Sequence, residues 1–103
     1  MYRLVWEFDA RPEQLDQFEN VYGPEGLWVK FFRKSGDFVG TELFKCTNNP
    51  YRFVTLDEWR TRAAYEAFRK TYAAEYAQLD QFCERLCQHE RTLGVSDDGK
   101  DAD

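Results

Sequence analysis

Histidine is almost missing from this chain: His89 is the single one in 103 residues. Serine is nearly as scarce, with Ser35 and Ser96 both in loop-like stretches. A hydrolytic Ser-His-Asp set therefore has little to be built from. No glycine-rich loop follows a strand-like segment, so a nucleotide phosphate has no cradle. Long apolar runs are also lacking. None approaches the ~20 residues needed to span a bilayer. The chain leads directly into a strand-like segment, so no signal peptide is expected and the protein is expected to be cytoplasmic. Basic residues are in deficit, 14 against 19 acidic, for a net charge of −5. The two signs are interspersed, which leaves no footprint for nucleic acid or an anionic membrane. Cys46, Cys83 and Cys87 are odd in number and form no C-x-x-C. Cys83 and Cys87 stand one helical turn apart, followed by His89, but no second element supplies paired ligands. They read as small apolar core residues, with no metal and, in a reducing cytosol, no disulfide.

What the chain does have is aromatic side chains, 17% of its residues, in two kinds of periodicity. Tyr2 to Ala10 alternates as a strand, with Leu4, Trp6 and Phe8 on one parity. Pro12 suits the first turn of a helix carrying Leu15, Phe18 and Tyr22. Gly23-Pro24-Glu25-Gly26 interrupts it. A second helical piece follows, with Leu27, Trp28, Phe31 and Phe32 in one apolar stripe. Phe38–Cys46 and Tyr51–Glu58 read as strands joined by the turn Thr47-Asn-Asn-Pro50. Thr61 is placed to cap a helix whose stripe runs through Ala64, Phe68, Tyr72, Tyr76, Leu79, Phe82 or Cys83, and Leu86. Helix tendency dips at Lys70-Thr71-Tyr72, so a break is expected there. Gln88 to Val95 returns as a fourth strand. One domain is expected over residues 1–95, with 96–103 a disordered acidic tail.

The order β-α-β-β-α-β predicts an α+β, ferredoxin-like fold: a four-stranded antiparallel sheet with helices on one face. In strand two Phe38 and Phe44 share one parity, and Val39 and Leu43 the other. In strand three Tyr51 and Phe53 share one, and Val54 and Leu56 the other. Strands apolar on both faces are buried on both faces. The helices suffice for one, so a second copy is expected to cover the other, as a sheet-to-sheet homodimer.

Trp59-Arg-Thr-Arg-Ala-Ala-Tyr-Glu-Ala-Phe68 resembles the W-x-S/T-x-x-A-x-x-x-H/F signature of the antibiotic biosynthesis monooxygenase family. Gly40-Thr-Glu-Leu-Phe-Lys45, Asn49-Pro50, Arg52-Phe-Val54 and Asp9-Ala-Arg-Pro12 resemble that family's strands and first turn. The likeness spans about residues 2–94. It implies a dimeric α+β barrel with a ligand cavity between helices and sheet in each subunit. It also implies a cofactor-independent monooxygenase acting on a small aromatic or polyketide-like substrate. Trp59, Trp28, Phe31 and Phe32 are the expected substrate-binding walls, and Glu7 and Glu42 the candidate catalytic carboxylates. Thr41, Thr55 and Asp57 are further polar residues near such a cavity. A carboxylate among aromatics can act as a base. A non-enzymatic dimer that binds an apolar ligand or assembles with a protein is the alternative. Haem-degrading relatives place a histidine ligand about ten residues after the tryptophan, where this chain has Arg69.

Overall fold

The structure, a computed structural model, describes residues 1–99. Four strands, β1 (Tyr2–Ala10), β2 (Phe38–Lys45), β3 (Arg52–Trp59) and β4 (Cys87–Asp97), form one antiparallel sheet in the order β2-β3-β1-β4. The connections are α1 (Leu15–Tyr22) with α2 (Leu27–Phe32), and α3 (Arg62–Thr71) with α4 (Ala73–Cys83). The βαββαβ reading and the single helical layer are what the structure has.

Local chemistry explains the boundaries. Pro12 opens a short 3-10 turn, Pro12–Gln14, ahead of α1 rather than α1 itself. Gly26 lets α2 begin hard against the end of α1: a Cβ there would lie 2.3 Å from the Val21 carbonyl oxygen. The Thr61 hydroxyl accepts a hydrogen bond from the Ala64 amide at 3.1 Å and caps α3. The expected break falls at Tyr72, whose backbone (φ −109°, ψ 30°) leaves the helix between α3 and α4. β4 is longer than expected. Ser96 and Asp97 pair with Arg3 and Tyr2, so the tail expected from Ser96 starts inside the sheet. Residues 100–103, the rest of that tail, lie outside the described residues.

The helix-facing side of the sheet carries Tyr2, Leu4, Phe8 and Ala10 from β1, with Phe53, Thr55 and Trp59 from β3, all buried. These meet Phe18, Val21, Tyr22, Trp28, Phe31, Phe32, Phe68, Cys83 and Leu86. Rings dominate that contact, and many sit at tilted or edge-to-face angles that suit their quadrupoles.

The strand-two parity needs a correction. Phe38 pairs with Trp59, but Gly40, not Val39, pairs with Glu58. Val39 is the extra residue of a β-bulge, and a bulge shifts the alternation of all that follows. Phe38 therefore shares the helix face with Thr41 and Leu43, and Phe44 points to the other side. On that outer face Phe44, Val54, Leu56 and Val5 make an apolar strip. Ion pairs flank it: Arg3–Glu58 at 3.0 Å, Arg52–Asp9 at 2.7 Å, and Arg91–Glu7.

Candidate functional site

A cavity of about 190 Å³ opens between the sheet and the helices. Its aromatic wall is Trp6, Phe8, Tyr22, Trp28, Phe32 and Tyr76. Its polar groups are Thr41, Thr55, Asp57, Arg69, Asp80 and Glu90. Strand alternation delivers several of them. Thr41 of β2 lies directly across from Asp57 of β3, and Leu43 across from Thr55. Glu90 of β4 lies across from Phe8, which faces the helices, so Glu90 is on the same side. Arg69 comes from the last turn of α3, and Tyr76 and Asp80 from α4, one turn apart.

Asp57 is the carboxylate at the base of this cavity. The Thr41 hydroxyl donates to its Oδ1 at 2.6 Å. Burial among rings pushes its carboxyl up to about 6, the Thr41 hydrogen bond opposing only part of that shift. A carboxyl in that range is ionised enough at neutral pH to take a proton and basic enough to hold one. Arg69 is the single cation in the lining. Its guanidinium stacks 3.7 Å from the Tyr76 ring centroid and donates to the Tyr65 hydroxyl at 2.8 Å. Burial raises the Tyr76 phenol above its ordinary range, so it stays a neutral hydrogen-bonding group.

The expected walls divide. Trp28 and Phe32 line the cavity. Phe31 packs beside them against Phe68 and Tyr72 without reaching it. Trp59 is fully buried among Phe32, Phe38, Tyr65 and Phe68, one layer behind Phe32. The tryptophans that do line the cavity are Trp6 and Trp28. The candidate carboxylates Glu7 and Glu42 both stand on the outer face. Glu7 pairs with Arg91, and Glu42 is exposed across from Leu56. Counting by twos from Phe38 would turn Glu42 inward; the Val39 bulge turns Thr41 inward instead. Thr41, Thr55 and Asp57, named from the sequence as polar neighbours, do face the cavity. Asp80 and Glu90 went unnamed. Asp80 could have been found as the residue one turn beyond Tyr76 on the aromatic stripe; Glu90 needed the β4 register.

His89 sits across from Asp9 and borders a second, smaller chamber with Cys83 and Cys87. Among the described residues no group of three or more metal-ligating side chains converges. Burial pushes the Cys87 thiol up to about 12 and raises that of Cys83, and all three cysteines are free. No helix among the described residues is long and apolar enough to cross a membrane.

The antibiotic biosynthesis monooxygenase family model matches residues 1–78. The chain belongs to that family. Solved structures similar to this family member include SnoaB, a cofactor-independent oxygenase from Streptomyces nogalater, at 16% identity. That alignment covers 96% of this chain and 93% of SnoaB, with a TM-score of 0.71. A structure described as an antibiotic biosynthesis monooxygenase is 19% identical, covering 94% of this chain and 97% of its own, with a TM-score of 0.66. PA3566 from Pseudomonas aeruginosa is 18% identical, covering 92% and 88%, with a TM-score of 0.64. At these identities the likeness concerns the fold. Among curated proteins no sequence matches significantly.

Proposed function

We propose that this family member is a cytosolic, cofactor-independent monooxygenase for a small, electron-rich aromatic substrate. The observation that carries this reading is Asp57: a carboxyl held up to about 6 inside an aromatic cavity, with Thr41 fixing its Oδ1. Asp57 takes the acidic proton of a phenol or enol. The resulting anion is electron-rich enough to reduce oxygen itself. A carbon–oxygen bond then forms, giving a peroxide on the substrate carbon. Loss of that carbon's remaining proton, with cleavage of the O–O bond, leaves a carbonyl and releases the second oxygen as water. The four electrons that reduce oxygen come from the substrate: two stay in the new C=O oxygen and two leave with the water. Arg69 faces the anion, and the rings of Trp6, Trp28 and Phe32 exclude water from it.

We further propose a homodimer through the outer face of the sheet. Phe44 is 48% exposed there in the single chain. With Val54, Leu56 and Val5 it makes a strip that gains from being covered.

Oxygen uptake with a panel of anthrone-type phenols tests the activity. Wild type should consume oxygen with at least one member, and Asp57→Asn should lose about 10²-fold or more of that rate. Equal rates for the two proteins would sink the assignment of Asp57. No uptake with any member, despite quenching of Trp6 and Trp28 fluorescence, would favour a non-enzymatic ligand-binding domain.

A further inference from the structure

The cavity lining holds three carboxylates, Asp57, Asp80 and Glu90, against one guanidinium. Several acidic side chains elsewhere have a basic partner: Glu7, Asp9, Glu25, Glu58, Glu66 and Glu75 all sit in ion pairs. Asp80 and Glu90 have no ion-pair partner within 4.0 Å among the described residues. They converge from α4 and β4 where the main cavity meets the smaller chamber, and both border each of the two. Burial, together with Asp80 and Glu84 nearby, holds the Glu90 carboxyl above its ordinary range. Arg69 feels Asp80 at longer range, but its guanidinium is already stacked on Tyr76 and bonded to Tyr65.

We infer that Asp80 and Glu90 are specificity-determining residues that reject ligands already carrying a negative charge, so that the cavity admits its aromatic substrate only in the uncharged form. This rests on the reading of the cavity as the substrate site. The charge balance supports it. When a neutral phenol gives its proton to Asp57, the cavity's net charge does not change: one carboxylate is neutralised as one phenolate appears, beside Arg69. A ligand that arrives as a carboxylate adds a full negative charge beside two unpaired carboxylates, half-buried Asp80 and, at the exposed edge of the cavity, Glu90. An aromatic bearing an ammonium group meets the opposite field and the faces of Trp6, Trp28 and Tyr76.

Matched ligands separate these cases without requiring turnover. The set is a dihydroxyanthraquinone, the same core with a ring carboxylate, and the same core with an aminomethyl group. Binding is read by quenching of tryptophan fluorescence. On wild type the carboxylated core should bind at least about tenfold more weakly than the uncharged one, and the aminomethyl core no more weakly. In the Asp80→Asn/Glu90→Gln double variant, with folding checked by circular dichroism, the gap between uncharged and carboxylated affinity should fall to within about threefold. Equal binding of all three cores to wild type overturns the filter and leaves the cavity reading intact. So does a tenfold gap that persists in the folded double variant. Failure of every core to bind overturns both.

Discussion

At the scale of single residues, the role proposed for Asp57 sets function against stability. Its folded carboxyl lies near 6, above the ordinary 3.8. Between those values the folded chain binds more protons than the unfolded one, so stability falls as pH rises through about 4 to 6. Above that window the whole cost of keeping an ionised carboxylate among rings remains, on the order of 2–3 kcal/mol. Asp57→Asn removes the titration. The variant should therefore be more stable than wild type at pH 7–8, with the difference shrinking toward pH 4, even as it loses the proposed turnover. Urea unfolding at several pH values measures this; a variant less stable at pH 8 than at pH 4, relative to wild type, would contradict it. Stabilisation with loss of activity is a common mark of a working group held in an unfavourable place. Thr41 limits that cost by donating to the anion, so it positions the carboxylate as well as lowering its energy.

At the scale of elements, the helices were legible and the strand faces were not. Thr61 announces its cap, and Lys70-Thr71-Tyr72 announces the break, because both depend on a few neighbouring residues. Thr61→Ala should cost about 1 kcal/mol of global stability, read by thermal melting, with binding in the cavity unaffected once the chain is folded. The strands were readable as strands, but which way they face depends on pairing across the sheet. β2 carries an extra residue at Val39, and β4 a register shift opposite Val5 and Trp6. Nothing in the local sequence marks Val39 as the extra one. That is why Glu42 looked as eligible for the cavity as Thr41, and why Glu90 escaped notice. Trp59 misled for a different reason: a large ring at a strand end can wall a cavity or fill a core, and here four neighbouring rings enclose it.

At the scale of the whole molecule, the sheet has one side lined by the cavity and one left uncovered, on which the proposed second copy would sit. The outer side mixes an apolar strip with ion pairs of both signs, so a two-fold axis can lay it on itself without net repulsion. Light scattering at micromolar concentration should give twice the chain mass, and Leu56→Arg, which puts a lone cation in the middle of the strip, should give the chain mass. A wild-type monomer would leave the strip without its proposed cover. The Val39 bulge makes the place of a deletion decide its effect. Loss of Val39 would set Phe38 and Gly40 consecutively opposite Trp59 and Glu58 and leave Thr41, Glu42 and Phe44 on their present sides. Loss of Glu42, with Leu43 and Phe44 held in register by the hairpin, would instead turn Thr41 outward and strip Asp57 of its hydrogen-bond donor.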